Sequence, residues 1–291
     1  MALYVNIFTQ ICITLIAVTG IYVLTGLTGM FSLGQAAFMA VGAYASGIFV
    51  VKLKMPFAPA VILAVLFAVV VGYIVGIPTV RLKRDYISLV TLGFGEAITA
   101  ILNRATKLTG GASGFIGIPR KTTLSLALIS AIVAIALVYW FRHSKYGRQC
   151  IAVRGDELAS RAMGINVPHV KMAAFLMSVA LTAYSGCLYA FYITYVDPSI
   201  FGWRQSAEWV IMVFFGGVNS LTGSVLGSVI LKGLPEVLRS LERYRDIIYA
   251  VLVLLVINFK PAGILGTHEL SDLFRRRPIV KKEKTDESAG N

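Results

Sequence analysis

Residues 146–166, Tyr146-Gly-Arg-Gln-Cys-Ile-Ala-Val-Arg-Gly-Asp-Glu-Leu-Ala-Ser-Arg-Ala-Met-Gly-Ile-Asn166, are too polar to cross a membrane and lie between two apolar runs. Asp156 and Glu157 open a helical turn, and Gly164 marks its end, because glycine tolerates the positive φ of a helix stop. Ala152, Leu158, Ala159, Ala162 and Met163 form an apolar stripe at helical spacing. A short amphipathic helix of this kind fits a groove on a partner protein. The chemistry implied is docking, and no catalytic residue is assigned. Cys12 and Cys187 lie inside apolar runs and Cys150 in a polar loop, without ligand spacing, so neither a metal site nor a disulfide framework is indicated. His143, His169 and His268 flank apolar runs or sit in the tail, as interfacial side chains do.

Glu96 stands inside the apolar run 86–103. An ionisable group there is costly unless it faces a cavity or a partner. It is read either as a functional group of a pathway or as a polar tie between helices. Two Gly-rich interruptions are the other unusual features: Gly26-Leu-Thr-Gly-Met-Phe-Ser-Leu-Gly34 and Gly216-Gly-Val-Asn-Ser-Leu-Thr-Gly223. They free backbone groups that lipid cannot satisfy, so they must be buried in protein or line a wet cavity. Their mutual resemblance, one in each half, points to a transporter built from internal repeats with its pathway near the repeat interface. Close helix packing is the competing explanation. The candidate pathway residues are Gly29, Ser32, Gly34, Gln35, Thr91, Glu96, Gly216, Gly217, Asn219 and Ser220. Thr109-Gly-Gly-Ala-Ser-Gly114 is either a turn or a contact for an external protein; it lacks the Lys of a phosphate loop.

The elements that must position these residues are membrane helices. Of the 291 residues 57% are hydrophobic and 14% charged, and the mean hydropathy is +0.78, against about 25% charged residues in soluble domains. Apolar segments run at about 5–26, 31–51, 58–78, 86–103, 122–141, 171–194, 206–231 and 246–260. The fold class expected is an all-α integral membrane protein with about eight hydrophobic helical segments, two of them broken or re-entrant, in an inverted-repeat-like permease. The first run is read as a retained helix, since no basic leader precedes it. The net charge of +13 reflects basic residues between apolar runs and in the tail, the positive-inside pattern, and implies no nucleic-acid partner. Arg142, Lys145, Arg148, Arg154, Arg161 and Lys171 place residues 143–170 in the cytoplasm, with 81–84 on the same side and the loops near 52–57, 105–121 and 195–205 opposite. The tail then returns to the cytoplasm only if 206–231 is broken. The chain divides into a transmembrane permease domain, 1–265, and a basic cytoplasmic tail, 266–291, carrying Arg275-Arg276-Arg277.

The pattern Tyr-Gly-Arg, then Ala-x-Arg-x-Asp-Glu-x-Ala, then Ala-Met-Gly-Ile-Asn within 146–166 resembles the coupling segment of ABC importer permeases. More narrowly it resembles the branched-chain amino acid permeases of the LivM type. That family also shows, in order, matches to Leu27-Thr-Gly-Met-Phe-Ser-Leu-Gly-Gln-Ala-Ala-Phe-Met-Ala-Val-Gly-Ala-Tyr44, Asp85-Tyr-Ile-Ser-Leu-Val-Thr-Leu-Gly-Phe-Gly-Glu96, Leu108-Thr-Gly-Gly-Ala-Ser-Gly114 and Phe214-Phe-Gly-Gly217. It commonly carries a base shortly after the Glu, whereas here Thr99 stands nearby and Arg104 is the nearest base. The resemblance implies that Gly147, Arg148, Arg154, Asp156, Glu157, Ala159, Ala162, Met163 and Gly164 meet an ATP-binding subunit. It implies as partners a second homologous permease, two ATP-binding subunits, an external solute-binding protein and the lipid bilayer, in a bacterial inner membrane. No Gly-x4-Gly-Lys-Ser/Thr loop occurs, so ATP and Mg belong to the partner subunits and this chain carries no cofactor. Branched-chain amino acids are the implied cargo; urea, short amides or aromatic acids are the alternatives within the family. An ion-coupled secondary transporter is the alternative outside it, and it leaves residues 146–166 without a purpose.

Overall fold

The computed structural model describes residues 2–237, 245–260 and 262–266. Its helices follow the apolar runs: α1 Ala2–Tyr22, α2 Gln35–Val51, α3 Phe57–Thr79, α4 Arg84–Arg104, the one-turn α5 Thr106–Thr109, α6 Leu124–His143, α7 Lys145–Gly155, α8 Glu157–Ala162, α9 Val167–Ile193, α10 Trp203–Gly216, α11 Leu221–Val237 and α12 Arg245–Phe259. Five helices among the described residues are long and apolar enough to cross a membrane: 4–28, 57–79, 86–104, 124–143 and 167–193. The remaining apolar segments are shorter. The segment 31–51 becomes helical only at Gln35, 206–231 falls into α10 and α11, and 246–260 holds the 15-residue α12.

Helix α9 is the axis of the molecule. Against α1 it runs antiparallel: the Tyr192 hydroxyl donates to Asn6 Oδ1 at 2.9 Å, Ser185 Oγ to the Ile13 carbonyl at 2.7 Å, and Gly20 faces Ser178. Helix α2 runs parallel to α9, with Thr182 Oγ1 donating to Gln35 Oε1 at 3.3 Å and Cys187 Sγ to the Gly42 carbonyl at 3.3 Å. Two glycines permit that approach. A Cβ on Gly42 would lie 2.2 Å from the Ala183 carbonyl oxygen, and one on Gly186 2.0 Å from that of Met39. Helix α3 covers the same axis antiparallel, Phe57 stacking edge-on against Phe191 and Gly72 facing Val179.

The two long helices end alike. Helix α1 continues through a π-helical turn, Val23–Thr28, and stops at Gly29 with φ 70°; α9 stops at Thr194 with φ 65°. Each stop is followed by a stretch that is not α-helical and then a short α-helix, α2 or α10, and the starts of those short helices meet where Ser206 Oγ accepts from the Ala36 amide at 2.9 Å. The counterpart of 29–34 is therefore 194–202. The Gly216–Gly223 motif, whose sequence pairs it with Gly26–Gly34, instead turns α10 back onto α11 as a hairpin. A Cβ on Gly216 would sit 1.9 Å from the Gly223 carbonyl oxygen, and one on Gly227 2.4 Å from that of Met212.

The two ends of the bundle gather different segments. At one end Arg84, beside α3's exit, donates to the Val153 carbonyl at 3.0 Å, so the loop 80–83 and residues 144–166 lie together. At the other, Lys52 Nζ donates to the Lys107 carbonyl at 2.7 Å, β1 (Phe115–Ile116) pairs antiparallel with β2 (Tyr195–Val196), and Tyr44 donates to the Val196 carbonyl at 3.0 Å. After α12 the chain comes back to the first end, where the Ile264 amide donates to the Phe215 carbonyl at 3.0 Å and Leu265 to Gly216 at 3.2 Å. The basic tail lies, from residue 267, outside the described residues.

Candidate functional site

The segment 144–166 is two helices. Ser144 caps α7 through the Gly147 amide at 3.3 Å, and Asp156 breaks the run, its Oδ1 accepting from the Leu158 amide at 2.8 Å and the Ala159 amide at 3.1 Å to start α8. A carboxylate in that place satisfies orphan amides and favours the positive helix end. Gly164, φ 80°, ends the turn. Leu158, 76% exposed, and Met163, 83% exposed, point away from the protein, with Ala159 and Ala162 exposed beside them. Ala152 belongs to the preceding helix α7, so the stripe expected as one helix is divided between two. Cys150, expected in a polar loop, is instead a buried residue of α7, and burial pushes its thiol up to about 12.

The inner face of this unit is tied to the bundle. Glu157 Oε1 lies 2.5 Å from Lys171 Nζ and 4.0 Å from Arg84 Nε. Lys171 is 1% exposed, so its carboxylate partner is required: an unpaired ammonium there is far more costly than the pair. Arg154 reaches further. One guanidinium nitrogen donates to the Gly26 carbonyl in the π-helical turn and the other to Asn219 Oδ1 in the α10–α11 turn. Arg84 donates to the Val153 and Arg154 carbonyls, and Arg142 to the Tyr22 hydroxyl at 3.0 Å. Burial lowers the Arg154 pKa, the Tyr22 hydroxyl opposes that shift, and Arg84 and Arg142 add to it. Gly29 is required here on two counts: its φ is positive, and a Cβ would lie 3.0 Å from Arg154 Cγ and 3.2 Å from Arg84 Cζ.

The residues singled out in the two interruptions fall into separate places. Gly216, Gly217, Asn219 and Ser220 sit at the end that carries residues 144–166; Gly217, φ 124°, packs against Ala262 and Gly266, and Ser220 Oγ accepts from the Gly223 amide at 3.1 Å. Ser32, Gly34, Gln35 and Thr91 meet inside the bundle. Thr91 Oγ1 accepts from the Leu33 amide at 3.2 Å, Gly34 lies against the Thr91 backbone, and Gln35 donates to Ser32 Oγ at 3.5 Å. Thr182 and Ser206 complete this junction, and neither is recognisable from sequence because each is a single hydroxyl in a helix. The five side chains Ser32, Gln35, Thr91, Thr182 and Ser206 are all buried; Gln35 links Ser32 to Thr182, while Thr91 and Ser206 hold the Leu33 and Ala36 amides. Glu96 joins neither group. It is exposed on α4, beside the exposed Leu89, Tyr86 and Ile101, and the described residues show no hydrogen bond or ion pair to it. In 109–114, Thr109 Oγ1 donates to the Leu102 carbonyl at 2.8 Å, and a Cβ on Gly114 would strike the Tyr195 ring at 2.6 Å, so the loop is a tightly specified turn.

Apolar helices around a buried axis, with a polar two-helix segment at one end, are the architecture of a multi-pass membrane protein. The comparisons name its kind. Residues 3–257 match the family described as branched-chain amino acid transport system / permease component, and the chain belongs to that family. It is 28% identical to the high-affinity branched-chain amino acid transport system permease protein LivM of Salmonella typhimurium, over 90% of this chain and 69% of that relative, and equally to LivM of Escherichia coli. LivH of Salmonella typhimurium is 26% identical over 64% of this chain and 61% of its own length. Among solved structures, PsaBC from Streptococcus pneumoniae in complex with Fab matches with a TM-score of 0.46 and 18% identity, over 87% of this chain and 90% of that one, too loose a likeness to argue from.

Proposed function

We propose that this chain is one of two permease subunits of an ATP-driven importer of branched-chain amino acids in a bacterial inner membrane, working by alternating access. The observation that carries the reading is Arg154: a residue of the docking unit that holds both chain interruptions at once. Movement of α7 and α8 by an ATP-binding subunit would be transmitted through that guanidinium to the ends of α1 and α10. Leu158 and Met163 are the knobs that such a subunit would receive, and the Asp156 cap keeps them presented. The exposed face of α4 with Glu96 is the surface assigned to the second permease, because a carboxylate within an apolar run is tolerated against protein or a wet pathway and not against lipid. The residues 105–121 and 195–202, at the far end, are the side that meets a solute-binding protein. ATP and Mg stay with the ATP-binding subunits.

The test is affinity purification of the chain from its native membrane in mild detergent, with co-purifying polypeptides identified and ATPase activity measured. A second permease and ATP-binding subunits are expected, and Leu158→Asp with Met163→Asp should lose the ATP-binding subunits while retaining the second permease. Gradient-driven, ATP-independent uptake by the purified chain alone would refute the reading.

A further inference from the structure

Helix α6 packs on α1 with Ala127, Ala131, Ala134 and Val138 buried, and leaves Ile129, Ile132, Val133 and Trp140 exposed. A groove opens on each side of that exposed face. Between α6 and α9 two cavities, of about 490 Å³ and 350 Å³, share Leu137 and Met177 and so form one groove; it runs along α6 from Ser130, bonded at 2.7 Å to the Tyr184 hydroxyl, to His143 and Ser144. Between α6 and the start of α11 lies a second groove, of about 740 Å³, which reaches Leu221 and Thr222. Leu137 and Trp140 line both. From Ser130 to His143 is about 20 Å at 1.5 Å per residue, more than the about 15 Å of one leaflet, half of the roughly 30 Å of hydrocarbon. The first groove is therefore long enough for an acyl chain with its mouth in the headgroup layer. That mouth is aromatic and basic. Trp140, 83% exposed, stands there with Tyr139 and Tyr146, the residue types that sit at headgroup level. Arg148 Nη1 donates to the His143 carbonyl at 2.7 Å, which holds the guanidinium at the mouth with donors to spare. Lys145 is exposed between Ser144 and Tyr146, both of which line the groove. No Asp or Glu occurs in α6, α7 or α9, and among the described residues no carboxylate pairs with Lys145 or Arg148.

We propose that the two grooves seat one diacyl anionic phospholipid, its chains on either side of α6 and its phosphate beside Lys145 and Arg148. Unpaired cations at the mouth call for an anion, and basic pockets between transmembrane helices on the cytoplasmic side hold acidic headgroups. A neutral lipid would leave the cations unpaired, a soluble phosphate would leave the grooves empty, and an apolar helix of another subunit would cover the walls without answering the mouth. Ser144, at the mouth, also caps α7 through the Gly147 amide, so the lipid abuts the start of the docking unit. The choice of leaflet rests on the function proposed above, whereas the two-chain anionic ligand rests on the grooves and their mouth.

The test is the phospholipid retained by the protein purified from its native membrane in mild detergent, read by native mass spectrometry, together with melting temperatures on titration with dioleoyl phosphatidylglycerol, dioleoyl phosphatidylcholine, one-chain lysophosphatidylglycerol and glycerol phosphate. Phosphatidylglycerol should be retained and should stabilise, and the other three should act only at higher concentration or not at all. Lys145→Gln with Arg148→Gln should weaken phosphatidylglycerol binding about tenfold or more, since each Lys or Arg beside an anionic lipid surface contributes about fivefold, and should leave phosphatidylcholine binding unchanged. Leu137→Trp, which fills both grooves, should weaken both lipids, with a lipid-free melting temperature close to the parent's. Equal affinity of the parent protein for phosphatidylglycerol and phosphatidylcholine, equal stabilisation by glycerol phosphate, or phosphatidylglycerol binding unchanged in both variants would overturn the seat; equal binding of lysophosphatidylglycerol would overturn the second chain. None of these readouts needs transport, so failure of the proposed importer and failure of the lipid seat are told apart.

Discussion

Replacing Arg154 by methionine removes a cation while keeping most of the stem that packs beside Gly29. Two charge-assisted hydrogen bonds go, to the Gly26 carbonyl and to Asn219 Oδ1, each of a kind that contributes about 1.5–3 kcal/mol. Part of that loss is offset. The guanidinium is partly desolvated and repelled by Arg84 and Arg142, and it is only half-buried, so solvent screens it. A net weakening of about 2 kcal/mol between the docking unit and the two interruptions follows, equivalent to about 30-fold in an equilibrium between coupled and uncoupled arrangements. The assay is leucine uptake per ATP hydrolysed by the reconstituted complex: hydrolysis should persist while uptake per ATP falls by about an order of magnitude. Unfolding of Arg154→Met, Asn219→Ala and the double variant gives the pair energy directly, and a coupling of about 1 kcal/mol or more is expected. Strict additivity, within about 0.5 kcal/mol, together with unchanged uptake per ATP, would refute the reasoning.

Lys171→Met should destabilise the chain by about 1–3 kcal/mol by stranding Glu157, the lower end reflecting Arg84 at 4.0 Å, and Lys171→Met with Glu157→Gln should recover most of it, as read by thermal unfolding. Gly186→Ala should cost at least about 3 kcal/mol or abolish folding, because a Cβ there meets the Met39 carbonyl at 2.0 Å, whereas Gly155→Ala, with nothing within 4 Å, should be tolerated; expression and melting temperature decide both. The Cys150 thiol, pushed up by burial to about 12, should resist alkylation in the folded protein at pH 9 and react once denatured. The sign for stability follows: between pH 9 and about 12 the unfolded thiol ionises while the folded one keeps its proton, so this group favours folding below pH 9 and its contribution is lost as pH rises through that window. A stability that rose with pH there would contradict its burial.

Most of the helices were legible because apolar runs longer than a bilayer have one solution for their backbone. The Asp156 cap and the Gly164 stop were legible too, since both are local chemistry. What sequence concealed is non-local or atypical. Gly26–Gly34 and Gly216–Gly223 look like a pair, yet the second stop in the repeat is Thr194, a β-branched residue in the left-handed region that no glycine rule would choose. Arg154 reads as one more basic residue of a cytoplasmic loop; that it spans to Gly26 and Asn219 depends on three distant segments converging. Ser32, Gln35 and Thr91, singled out as polar residues in or near breaks, are buried in one junction with Thr182 and Ser206, which sequence does not bring together.

The near-contact of backbones along α2 and α9, where Gly42 and Gly186 leave no room for even a methyl group, has a mechanical meaning. Two helices in contact at that distance cannot slide against each other without colliding main chains, so α2 and α9 move as one body. In the cycle proposed above, what swings would then be mounted around that body, on the end of α1, on α4 and on the α10–α11 hairpin, and spin labels placed across α2 and α9 should hold one separation through every nucleotide state while labels from α9 to α11 change theirs.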